Sequence, residues 1–280
     1  MAELAQPSTS SMEVRRFDVG EAGRCGDLIG DMFTRRCAGA IVERVFSPSM
    51  MAELAAAIRR GVAGLPRATA PTFSGGLFGV PLVLSGEDLN DYLVAAEQFR
   101  ASIEPLFVSV GGLEARLRDT LAHLAGGRVV EVARAEDGRA YLPASIRVLV
   151  AGDSLPIHFE NGTTKYDSMR PLLARVDATT IMSFYLTVEL PEDGGTLQYF
   201  STDCLGDGDR IIGDLGGPEK ARAVLGARGY IDVLPGVGDL LVFDGGRNYH
   251  LVTEVLRGTR WTLGGFLALT KEHERVLYWS

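Results

Sequence analysis

Thr180-Ile181-Met182-Ser183-Phe184-Tyr185-Leu186-Thr187-Val188-Glu189-Leu190 is the longest β-type run in the chain. Met182, Phe184, Leu186, Val188 and Leu190 share one face at a period of two, which predicts a strand with one side in the core. Pro191 to Gly195 is a turn and Thr196 to Phe200 returns. Outward from this pair, short β-rich runs occupy Arg128 to Arg134, Ala144 to Ala151 and Pro156 to Glu160. Further runs follow at Tyr230 to Leu234, Asp239 to Phe243, Tyr249 to Leu256 and Arg260 to Thr270. Many short strands with turns at close intervals predict a sandwich or barrel.

The first half differs. Gly39 to Phe46 predicts a strand, but Met50 to Val62, Glu87 to Phe107 and Gly112 to Leu124 carry helical periodicity. Ser47-Pro48-Ser49 is a helix start. Residues 64 to 86 hold Gly, Pro and Ser together with Phe73 and Phe78, an irregular cover with too many large apolar side chains for a linker. The expected architecture is one α+β domain over residues 1–280, mainly β, with a double-stranded β-helix (jelly roll, cupin-like) at 127–280. A helical layer at 39–126 lies on its outer face and supplies a substrate cover. Residues 1–12 are a polar tail, and 201–228, with a helix at Pro218 to Ala227, form a lid insertion.

Composition excludes several function classes. The net charge of −8 gives no footprint for nucleic acid or an anionic membrane. No run of 18 apolar residues spans a bilayer, and the N-terminus lacks the apolar stretch of a secretory signal. Cys25, Cys37 and Cys204 are scattered and form no disulfide framework, which fits a reducing cytoplasm.

Only four histidines are present: His123, His158, His250 and His273. His123 sits inside a helical pattern and His273 in a charged run, so both are expected to be structural or solvated. His158 and Glu160 are two apart on a strand and project from the same face. With His250, delivered by the Gly245-Gly246 turn to the next strand, they make two imidazoles and a carboxylate. That is the facial set that holds non-haem Fe(II) with positions left open. Arg260-Trp261-Thr262 follows ten residues later. A 2-oxo acid chelating the metal would bury a second carboxylate, which needs a partner. Arg260 offers a planar two-pronged donor and Thr262 a hydroxyl on the same face.

The HxE pair, distant His and RxT together resemble the Fe(II)/2-oxoglutarate-dependent dioxygenase superfamily. Ala144 to Arg147, Leu234 to His250, Leu263 to Ala268 and Leu277 to Ser280 resemble the hapalindole-type (welwitindolinone) halogenases, relatives of the hydroxylases of N-substituted amino acids. The likeness runs over about 39–280 and is strongest from 141. It implies iron at His158 and His250, 2-oxoglutarate at Arg260 with help from Arg147, and O₂ as co-substrate. It also implies a substrate pocket along Ser74 to Pro81 and near the helix at Pro218 to Ala227; Phe73, just before that stretch, with Leu77, Phe78 and Pro81, is expected to contact the substrate. Those halogenases have glycine where this chain has Glu160, and chloride fills the position the glycine leaves open. A carboxylate there implies hydroxylation of an unactivated C–H bond of a small molecule, with desaturation or halogenation as alternatives. A non-catalytic jelly-roll binding protein needs none of these groups together, and a metalloenzyme without 2-oxoglutarate leaves Arg260 unexplained.

Overall fold

The computed structural model describes residues 12–61, 65–69, 74–86, 88–204 and 208–280. Phe73 lies outside them. Two sheets face each other. The larger has ten strands; its main path runs Val14–Asp18, Gly39–Glu43, Leu240–Phe243, Met182–Glu189, Thr259–Leu269, Ser145–Val150, Gly76–Phe78 and Arg67–Ala68. Arg275–Trp279 also pairs with Thr259–Leu269, and Val129–Val132 with Arg275–Trp279. The smaller sheet runs Tyr230–Val233, Leu197–Asp203, Asn248–Val252 and Leu155–His158. This is the expected double-stranded β-helix.

Three helices, Pro48–Gly61, Leu89–Ser109 and Leu113–Leu124, cover the outer face of the large sheet. Ser47 caps the first through its hydroxyl, which accepts from the Met50 amide at 3.3 Å. Met51, Leu54, Ala55 and Ile58 form its buried stripe at helical spacing. They join Met182, Phe184, Leu186 and Val188 in the main core, so those strand residues lie where the alternation put them. Leu190 stands outside the core, exposed. A second core between the sheets contains Ile41, Leu149, Leu155, Leu197, Leu241, Phe243 and Val252. A third joins Ile157, Tyr249 and Leu251 to Ala221 and Leu225 of the helix Pro218–Gly226 on the far side of the small sheet.

Several expected bounds shift for physical reasons. The strand from Gly39 ends at Glu43 because Arg44 takes a left-handed φ of 58° and gives its N–H to Asp239 Oδ1. The run Tyr249 to Leu256 divides into Asn248–Val252 and Val255–Arg257, the latter pairing with Asp193–Gly194. The strand carrying the first histidine stops at His158, and Glu160 opens a 3₁₀ turn, Glu160–Lys165. Phe159 is nevertheless extended (φ −152°, ψ 145°), so the alternation that pairs His158 with Glu160 survives. The cover at 64–86 is less irregular than expected: Gly76–Phe78 adds to the edge of the large sheet beside Ser145–Val150. Cys25, Cys37 and Cys204 are free thiols. No helix of the described residues is long and apolar enough to cross a membrane.

Candidate metal and co-substrate site

The site lies between the two sheets. His158 and His250 sit directly opposite one another on neighbouring antiparallel strands of the small sheet, with ring centroids 4.2 Å apart. Glu160 reaches them from the first residue of its turn, and its Oε1 is 3.4 Å from His250 Nε2. The ligand atoms of the three residues all lie within 4.8 Å of one another, and among the described residues no other His/Cys/Asp/Glu group is so placed.

Each imidazole is held by its second nitrogen. His158 Nδ1 donates to the Pro156 carbonyl at 2.7 Å and His250 Nδ1 to the Asn248 carbonyl at 3.2 Å. Both Nε2 lone pairs therefore face the centre. Phe243 packs edge-on against His250, 5.1 Å between centroids. Burial lowers the His158 pKa to about 4, and the neighbouring His250 adds to the shift. The ring stays neutral, as a metal ligand must be. Burial works against the Glu160 carboxylate, but His250, His158 and Ser183 outweigh it and hold its pKa well below the usual range. Two imidazoles and a carboxylate, their ligand atoms converging within 4.8 Å of one another, fit Fe(II).

The Gly-Gly turn is packed against this carboxylate. A Cβ at Gly245 would come within 2.8 Å of Glu160 Cγ and 2.7 Å of Ser183 Oγ. One at Gly246 would meet Asn161 Oδ1 at 2.4 Å and the Ile181 amide at 2.6 Å. Asp244, just before it, bonds Thr180 and pairs with buried Arg247, which also donates to the Met32 and Phe33 carbonyls. The turn that delivers His250 is thus anchored to the N-terminal segment.

A cavity of about 230 Å³ opens from these three residues. Arg147, Arg260 and Thr262 line it from the large sheet, with Thr262 paired to Arg147 across the strands. Arg260 is buried and lies over the Tyr185 ring, 5.0 Å from its centroid. Burial raises the Tyr185 pKa and keeps the phenol neutral beside that guanidinium. Leu77 and Pro81 line the cavity. Phe78 does not: it points into the main core and carries Arg67 on its ring. None of the described residues of 201–228 lines the cavity either, because Pro218–Gly226 packs behind the small sheet. The expected lid contact from that helix is absent there. His123 is on a helix away from the site, and His273 pairs with Asp177 at 2.7 Å.

Sequence reasoning missed Ser183, Tyr185, Val83, Leu84 and Phe266, all of which line the cavity. Ser183 and Tyr185 alternate with the apolar residues of the longest strand, which puts them on its other face but does not by itself mark them as site residues.

No curated protein sequence matches the chain. Among solved structures, an N-substituted L-amino acid dioxygenase from Burkholderia ambifaria AMMD, in complex with α-ketoglutarate, is 15% identical. The match covers 89% of this chain and 90% of that one with a TM-score of 0.53, so the two share a fold. A 2OG-Fe(II) oxygenase family oxidoreductase from Burkholderia pseudomallei is 13% identical over 91% of this chain and 94% of that one, TM-score 0.46. The model of the family described as carrier-protein-independent halogenase WelO5 matches residues 12–280. That match spans nearly the whole chain, and with the His-Glu-His centre it places the protein in the WelO5 family, as a non-haem oxygenase dependent on Fe(II) and 2-oxoglutarate.

Proposed function

We propose that this enzyme hydroxylates an unactivated C–H bond of a small molecule, converting 2-oxoglutarate and O₂ to succinate and CO₂. His158, Glu160 and His250 hold the metal. Arg260 and Thr262 hold the far carboxylate of 2-oxoglutarate, and Arg147 supports its inner end. Fe(II) and 2-oxoglutarate together supply the oxidising power for the C–H bond. The chain's own residues bind, orient and exclude water. Arg260 provides a fixed two-pronged donor whose stacking on Tyr185 pre-sets its plane. Leu155, Leu197, Phe243 and Val252 line the cavity with apolar surface, which strengthens each polar contact made there.

The observation that carries hydroxylation over halogenation is Glu160. Its carboxylate already points at the centre, 3.4 Å from His250 Nε2, and occupies the side where a halide would have to bind. Halogenation is the second reading, favoured by the family match, and requires that carboxylate to leave. The cavity supports a substrate class too. It is below the ~300–1,000 Å³ that takes a whole drug-sized ligand, and it must also admit the co-substrate. Only the reacting end of the substrate enters, while Val83 and half-exposed Leu84 at the cavity edge offer apolar contact to the remainder.

The test is turnover with a panel of small apolar metabolites, 2-oxoglutarate and O₂, with chloride or bromide present in half the reactions. Succinate formation with a product 16 mass units heavier, independent of halide, is expected. A halogenated product would overturn the assignment.

A further inference from the structure

Glu160 needs more than a place in the sequence to act as a ligand, because a glutamate arm has three rotatable bonds and can fold away from a metal. Here it is held at several atoms. Its amide donates to the Gly245 carbonyl at 2.7 Å, and its own carbonyl accepts from the Thr163 hydroxyl at 2.7 Å. The next residue, Asn161, accepts from the Ile181 amide at 2.8 Å and donates to the Ala178 and Thr179 carbonyls. These contacts lock the start of the turn against the entry of the strand Met182–Glu189. Two residues along, on the cavity face of that strand, the buried Ser183 hydroxyl donates to Glu160 Oε1 at 2.7 Å. Oε1 is also the oxygen 3.4 Å from His250 Nε2. A carboxylate oxygen has two lone pairs. Ser183 takes one, which leaves the other aimed at the space between the histidines. Gly245 supplies the clearance, since a Cβ there would strike both Glu160 Cγ and Ser183 Oγ.

We infer that Ser183 is a positioning residue that fixes the Glu160 carboxylate on the metal, with Gly245 as the gap that lets it do so. The inference rests on the reading of Glu160 as a metal ligand. By this device the carboxylate is kept from swinging aside, so the position it fills stays closed to a halide. Hydrogen-bond partners of metal ligands typically govern affinity about 10–100-fold.

The experiment is an anaerobic Fe(II) titration of the full chain against a competing ferrous chelator, on wild type, Ser183→Ala, Ser183→Thr, Gly245→Ala, Glu160→Ala and the Glu160→Ala/Ser183→Ala double variant. Expected are about tenfold weaker binding for Ser183→Ala and Gly245→Ala, near-wild-type binding for Ser183→Thr, and no further loss from Ser183→Ala once Glu160 is alanine. The visible charge-transfer band with 2-oxoglutarate should shift in Ser183→Ala and return in Ser183→Thr. A Ser183→Ala loss equally large in both backgrounds, or no loss in either, would overturn the positioning role while leaving Glu160 as ligand. Unchanged Fe(II) affinity in Glu160→Ala would overturn the ligand reading itself, and this inference with it.

Discussion

Arg260 is buried on the cavity face of its strand with its guanidinium over Tyr185, so its charge has no exit to bulk water. Such a group is tolerable only if it meets an anion or hydrogen-bond acceptors. Lysine would keep the charge and lose the planar fork. Arg260→Lys should therefore forfeit one charged hydrogen bond, about 1.5–3 kcal/mol, or roughly 10–100-fold in 2-oxoglutarate affinity. Thr262→Val should cost about 1 kcal/mol, a neutral-donor loss. Titration of the metal-to-ligand charge-transfer band reads both; wild-type affinity in Arg260→Lys would remove Arg260 from the co-substrate site. These residues could be picked out from spacing alone, because HxE on an extended segment and RxT on a strand need only the period of two. Ser183 could not. One polar residue on a strand face gives no sign that it meets Glu160, 23 positions away. Phe78 failed for the complementary reason: an apolar side chain in a cover segment carries no mark of which of its two faces is core.

Asp153 shows how one element is pinned. It accepts from the Ser74 amide and hydroxyl at 2.8 and 2.9 Å, the Gly75 amide at 2.9 Å and the Val150 amide at 3.0 Å. It thereby clips the segment that carries Leu77 and Pro81 to the end of the strand Ser145–Val150. Burial would raise its pKa, but these donors together hold it below the ordinary carboxyl value. A carboxyl whose folded pKa is depressed adds stability above its unfolded value of about 3.9 and loses it as pH falls through the folded one. Protection from hydrogen exchange across 74–86, relative to the intrinsic rate at each pH, should thus fall in the wild type only below about pH 4. Asp153→Asn, with a neutral acceptor for the same donors, should show the fast exchange at neutral pH and lose about 1–3 kcal/mol. Slow exchange in that variant would refute the clip. None of this was legible beforehand, because residues 64 to 86 look like loop by composition, and the strand there is imposed by tertiary pairing with Ser145–Val150. The helices were legible, since Met51, Leu54, Ala55 and Ile58 repeat at 3.6 and face one surface. The split of Tyr249 to Leu256 was not, because β-formers stand on both sides of Thr253 and Glu254 and it is the pairing partner that changes there.

At the scale of the whole molecule, the site is a seam. Both histidines belong to the small sheet, whereas Arg147, Ser183, Arg260 and Thr262 belong to the large one. Glu160 bridges them, taking His250 on one side and Ser183 on the other. On the proposed function, metal and co-substrate bound here would tie the two sheets together, and the unfolded chain, with these side chains dispersed, would not bind both. Loading must then stabilise the fold by mass action, about 2.7 kcal/mol at one hundred times the dissociation constant. For a chain somewhat longer than the 150–250 residues over which 1 kcal/mol moves Tm by about 2–4 °C, that corresponds to a rise of roughly 5–10 °C. Anaerobic calorimetry should show the rise with Fe(II) and 2-oxoglutarate together, a smaller one with Fe(II) alone, and reversal by chelator. Glu160→Ala should shrink the Fe(II) step, because the bridge between sheets is lost, while leaving the unloaded Tm within a few degrees. Arg260→Ala should spare the Fe(II) step and abolish the 2-oxoglutarate increment. If both variants kept the full rise, the ligands would be binding somewhere other than between the sheets, and the seam would be only a packed cavity.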